Sequence, residues 1–146
     1  TDILQEYFIP TRNFINFSEK FRNILIEGNV NVLSFTIRYV APNNESFLSY
    51  APNEEAFAII YYSNVKLNEK GIKNAEVTVQ KIINLALENN GTYYLTYNLF
   101  PTQEQIRKAY PKIDFVFEMK RHYDPNGLFM NKFYQKYALR VENEKY

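Results

Sequence analysis

From residue 4 to residue 97 the apolar positions switch between a period of two and a period near four. Leu4 to Ile9 is aromatic and β-branched and is stopped by Pro10, which predicts a strand. Thr11 fits a helix N-cap, and Phe14, Phe17, Phe21, Ile24 and Leu25 follow at helical spacing. Glu27-Gly28-Asn29 closes that helix. Residues 30–40 alternate most cleanly. Leu33, Phe35, Ile37 and Tyr39 share one face, and Ser34, Thr36 and Arg38 share the other, on what reads as a central strand. Two polar turns around Pro42 and Pro52 flank a short extended piece, Ser46 to Tyr50. Ala56 to Ser63 is a near-continuous apolar run, consistent with a buried strand. Ala75, Val79, Ile82, Ile83 and Ala86 form the stripe of a second helix, closed by Asn89-Asn90-Gly91. Thr92 to Tyr97 predicts a fourth strand.

The order strand, helix, strand, strand, helix, strand is the split βαβ, or ferredoxin-like, arrangement. The predicted class is α+β: a ferredoxin-like βαββαβ antiparallel sheet with two helices on one face. Its other face is left open, and an open face must be covered or polar. Residues 1–100 hold this unit. After Phe100-Pro101 the pattern changes. Thr102 caps a short helix, and residues 113–123 read as another. Asp124-Pro125-Asn126-Gly127 fits a type I turn, and Leu128, Phe129 and Phe133 follow it. Residues 101–146 therefore form a C-terminal helical segment with an apolar tail that asks for something to dock on.

Composition narrows the chemistry. A chain of 146 residues is one domain in size and long enough to bury a core. The net charge of +1 gives no electrostatic case for nucleic acid or for an anionic membrane. There is no Cys and one His, His122, which excludes disulfides, thiol nucleophiles and His-paired metal motifs. No apolar run reaches membrane-spanning length and no secretory pattern opens the chain, so a cytoplasmic location is expected. The chain opens on Thr, which suggests a processed protein or part of a longer one. The polar row Ser34, Thr36, Arg38 is either a solvated face or a binding surface in which Arg38 holds an anion or polarises an oxygen. Adjacent tyrosines such as Tyr61 and Tyr62 must point to opposite faces, so at most one of them joins Arg38.

Several residues together resemble the C-terminal part of flavin-dependent oxidases and dehydrogenases of the vanillyl-alcohol oxidase type. The likeness is greatest to the sugar-lactone and alditol oxidase branch. They are Glu6-Tyr7-Phe8-Ile9-Pro10, Ile37-Arg38, Tyr110-Pro111, and the run Lys120…Tyr123-Asp124-Pro125…Phe129…Asn131…Phe133. The resemblance implies a cap, or substrate, domain laid over the ring of FAD, with the FAD-binding domain lying N-terminal in the same protein and absent from this chain. The C-terminal segment would pack on that domain.

It further implies an oxidoreductase acting on CH–OH donors, with Arg38 as the site arginine. Thr36 stands where alditol oxidases place a carboxylate, Tyr61 where they place a third-strand His, and Tyr97 where they place a fourth-strand Lys. Arg38, Tyr61 and Tyr97 are the implied catalytic residues, Thr36 and Ser34 the substrate-binding ones, and Asn131 the one nearest the cofactor. The implied partners are a small-molecule substrate and the FAD-binding domain. The alternative is a free-standing ferredoxin-like domain that binds a small molecule or forms a homodimer through its open sheet face. An RNA-binding module of the same topology is opposed by the near-neutral charge.

Overall fold

A computed structural model of the chain describes residues 1–139, so residues 140–146 of the expected C-terminal segment lie outside the described residues. Strand β1 (Asp2–Pro10) ends where Pro10 removes a ladder donor and hands over to a short 3-10 turn, Thr11–Asn13. Helix α1 (Phe14–Glu27) buries Phe17 and Phe21. Strands β2 (Asn31–Val40) and β3 (Ala56–Asn64) follow, joined by the loop 41–55, which forms no extended piece. Helix α2 (Glu69–Glu88) starts on Asn68, whose side chain accepts from the Gly71 N–H at 2.8 Å. Strand β4 is only Thr92–Tyr93. Helices α3 (Gln103–Ala109), α4 (Ile113–Tyr123) and α5 (Lys132–Tyr137) complete the described chain.

The four strands form one antiparallel sheet in the order β2-β3-β1-β4. This is the α+β, ferredoxin-like type of fold. β3 inserts between β1 and β2, so β2 is an edge strand and not the central strand that its clean alternation suggests. The alternation is also broken once, by a register shift between Val32 and Ser34.

One sheet face is covered. Tyr7, Ile9, Ile59 and Tyr61 meet Phe17 and Phe21 of α1 and Val79, Ile82, Ile83 and Ala86 of α2. Ile106, Tyr110, Ile113, Phe117, Tyr134 and Tyr137 from the segment after residue 100 belong to the same core. Tyr110 donates its hydroxyl to the Tyr93 carbonyl, and Tyr137 donates to the Pro101 carbonyl at 2.9 Å. Among the described residues the other sheet face carries no helix of the core; the loop 41–55 folds against part of it around Phe8, Ala51, Ala56 and Ala58, and the segment 94–98 brings Tyr94 and Tyr97 over β1. Among the described residues no helix is long and apolar enough to cross a membrane.

Candidate functional site

Strand alternation decides which side chains reach the face without helices. Glu6 lies across from Ile60, and Ile60 across from Thr36. Phe8, Ala58 and Arg38 form the next row, and Tyr62 stands across from Ser34. Residues opposite one another in a ladder point to the same side, so all of these share that face.

Glu6 is its buried charge. The Glu6 side chain is 2% exposed against 57% for Arg38. A carboxylate taken out of water needs partners. The Arg38 Nη2 donates to Oε1 at 2.6 Å, and the Tyr97 hydroxyl donates to Oε2 at 3.3 Å. Tyr97 is held over β1 by its neighbour: the Asn98 side-chain amide donates to the Leu4 carbonyl at 3.1 Å. Beside the ion pair stands a wall of rings. Tyr50 stacks on Phe8 at 4.5 Å between centroids, Tyr94 lies 5.4 Å from Tyr50, and Tyr97 lies 4.5 Å from Tyr94. Thr92 donates its hydroxyl to the Tyr50 carbonyl at 2.7 Å and so ties the loop to the sheet.

The hydrogen bond to Glu6 raises Arg38 above its ordinary range, with burial opposing. Burial first, then the negative charge of Glu6, raises the Tyr97 phenol; burial and Tyr94 raise Tyr50. The phenols are therefore neutral donors at ordinary pH rather than bases. The guanidinium carries five N–H donors. Glu6 fixes its position from below while its exposed side remains turned to solvent, which is the geometry for an oxygen or anion arriving from outside the sheet.

The structure brings Arg38, Tyr97, Thr36 and Ser34 to one face. It does not bring Tyr61 there. Tyr61 pairs across the sheet with Phe35 and Gln5 and is fully buried under the helices. Its ring stacks on Tyr7 at 6.4 Å and meets Phe21 edge-on at 5.7 Å. Burial raises its phenol well above the ordinary range. The third-strand tyrosine on the face of Arg38 is Tyr62, because neighbours in a strand point opposite ways. Tyr61 instead borders a cleft of about 530 Å³, of mixed polar and apolar lining, between the end of α1 and the first turns of α2. Asn131 is the N-cap of α5, its side chain accepting from the Tyr134 N–H at 2.8 Å.

Glu6, Tyr50 and Tyr94 are the site residues that sequence reasoning misses. Glu6 leaves a trace, an acid set among the apolar residues Leu4, Tyr7, Phe8 and Ile9 of β1. Tyr50 leaves none, since its place depends on how the loop 41–55 folds back. No cluster of His, Asp and Glu able to hold a metal ion occurs among the described residues. No family model matches this chain, and no curated protein matches it.

Proposed function

We propose that this chain is the substrate-binding, C-terminal part of an FAD-dependent oxidoreductase acting on CH–OH donors, inactive without the domain that holds its cofactor. The observation that carries the reading is the convergence of Arg38, Glu6 and Tyr97 on a sheet face that no helix covers. That face fits the ring end of FAD: it offers a half-exposed cation and tyrosine rings to a flat aromatic system edged with carbonyl acceptors. It does not fit the diphosphate end. The four glycines stand singly at Gly28, Gly71, Gly91 and Gly127 and make no phosphate cradle. The FAD-binding domain of the same polypeptide would hold that end, in the cytoplasm.

When bound, FAD supplies the hydride acceptor. The chain's own residues do the rest. Arg38 donates to the substrate oxygen and stabilises the negative charge left there as the hydroxyl proton passes to water on the exposed side of the guanidinium. Glu6 locks the guanidinium. Tyr97, protonated, donates a second hydrogen bond. Thr36 and Ser34 offer hydroxyls along the same edge. Tyr50 and Tyr94 form an apolar wall that excludes water. Asn131, at the head of α5, is the residue assigned to approach the cofactor.

The test is expression of the whole encoded polypeptide. It should be yellow, and sugars, lactones, alditols and sterol-like alcohols should be screened for bleaching of the flavin. With the active substrate, Arg38→Ala should slow single-turnover reduction by about 100-fold or more, the scale of losing one charge-stabilising donor. Unchanged reduction would remove Arg38 from the mechanism. The free edge of β2 favours a second reading, a free-standing ferredoxin-like binding domain. A colourless protein whose natural chain begins at Thr1 would select that reading.

A further inference from the structure

Strand β2 forms one border of the sheet, and its outer backbone edge pairs with no described strand. Nearly all of its ten residues are exposed. Natural edge strands are blunted by Pro, by Lys or by charges that repel a second strand. β2 has neither Pro nor Lys, and its one charge, Arg38, is already tied to Glu6. Beyond the register shift, residues 34–40 run regularly to the strand's end.

On the helix side the edge is apolar. Phe35, Ile37 and Tyr39 are 46%, 48% and 58% exposed. With Val32 and Ile26, Phe35 and Ile37 border a groove of about 700 Å³ between α1 and β2, at whose floor Phe21 of α1 meets Phe35 at 5.9 Å between ring centroids. These side chains present on the order of 500 Å² of apolar surface, the size at which a contiguous patch on a monomer signals a partner.

A free backbone edge selects a strand as its partner. We infer that the partner is β2 of a second copy, the two sheets joining edge to edge across a two-fold axis into one of eight strands. An interface of this kind must be self-complementary, and β2 is. With antiparallel pairing about Ile37, Ile37 faces its own counterpart, Phe35 faces Tyr39, Thr36 faces Arg38 and Ser34 faces Val40. Like faces then lie on the same side. The apolar rows meet beneath the sheet, beside both α1 helices, and the polar rows meet above it. Arg38 never opposes Arg38. This register uses the whole regular stretch from the shift to the strand end. The apolar row and the backbone edge together place such a pair at the small end of specific interfaces, so association at high micromolar concentration is expected. Arg38 and the tyrosine wall stay open on the opposite face, so the pairing stands independently of the oxidoreductase reading.

Sedimentation of the 146-residue chain at tens to hundreds of micromolar should show dimers. Ile37→Lys places two cations face to face on the axis. It should weaken association by about 100-fold with an unchanged far-UV spectrum, since Ile37 is half-exposed in the monomer. The chain has no Cys, so Ile37→Cys adds a single thiol that lies against its own copy. Mild oxidation should convert most of that variant to covalent dimer, while Tyr62→Cys, one strand in from the edge, should pair like the parent chain but form no covalent dimer. A monomer at every concentration overturns the inference, and so does a dimer indifferent to Ile37→Lys. Equal cross-linking of the two Cys variants also overturns it.

Discussion

Arg38 and Glu6 form one ion pair, yet the two partners are not equally replaceable. Arg38→Ala leaves a buried carboxylate with only the long Tyr97 hydrogen bond, whereas Glu6→Gln leaves an arginine that water already reaches. Because the guanidinium is half-exposed and screened, Arg38→Ala should cost about 1–2 kcal/mol and Glu6→Gln less than about 1. The double variant should recover part of the Arg38→Ala loss. Urea denaturation measures all three, and equal single costs would refute the asymmetry. At Asp124 the same logic becomes a pH dependence. Lys120, and then the backbone N–H groups of Phe129 and Leu128, hold this carboxylate down to about 2. A depressed carboxylate contributes stability above its unfolded value near 3.8, and that contribution is lost as pH falls toward about 2. Protection factors of the Leu128 and Phe129 amides, corrected for intrinsic exchange, should therefore fall between about pH 4 and pH 2, and Asp124→Asn should flatten that window. A window unchanged by Asp124→Asn would assign it elsewhere. Arg38 is legible in the sequence because a cation within an alternating strand must face outward or be paired. The burial of Glu6 is not legible, since its partners lie 32 and 91 residues further along the chain.

Both long helices end on an asparagine in the left-handed region, Asn29 at φ 47° and Asn90 at φ 58°, and not on the neighbouring glycine. The sequence places both stops correctly as tripeptides, and the structure gives the left-handed position in each to the asparagine. Gly91 is needed for space: a Cβ there would lie 2.6 Å from both the Ile9 Cδ1 and the Phe8 carbonyl oxygen. Gly91→Ala must therefore push α2 away from β1 and should cost about 1–3 kcal/mol. Asn90→Gly, at the position that favours glycine, should be neutral or slightly stabilising. Thermal melts of the two variants decide between the roles: a harmless Gly91→Ala would refute the close-packing role of Gly91, and a costly Asn90→Gly would refute the left-handed role of Asn90. The capping box at Thr102 and Gln105 is legible because both of its bonds are local. The length of β4 is not. Residues 92–97 alternate like a strand, but pairing stops after Tyr93, and the Tyr94 N–H makes a last bond to the Glu6 carbonyl at 2.9 Å. The chain then turns to carry Tyr97 over Glu6. Strand order is equally non-local, which is why the alternation of β2 suggests a centre and the fold gives it an edge.

At the scale of the whole molecule, the segment after residue 100 divides into a part the core holds and a part it does not. Tyr134 and Tyr137 are buried against Phe117 and the helices before it. The six residues of α5 are too few to show a helical period, so the sequence gives no sign of them beyond Asn131 as a cap. Leu128 and Phe129, by contrast, are 78% and 80% exposed at the tip of the Asp124 turn. Apolar side chains so exposed contribute little to this chain's stability, and their place is explained if a further domain covers them. The two parts should respond oppositely to mutation. Tyr137→Phe removes the buried bond to the Pro101 carbonyl and should cost the 146-residue chain about 1 kcal/mol. Leu128→Ser with Phe129→Ser should change that stability by no more than about 0.5 kcal/mol. If the whole polypeptide carries the proposed flavin domain, the ranking should invert there: the double serine variant should loosen its contact with this chain, while Tyr137→Phe should leave it intact. Flavin retained through gel filtration, with limited proteolysis at the Asp124 turn, reads out that contact. If the serine variant keeps its flavin and resists protease like the wild type, the exposed tip is not the docking surface.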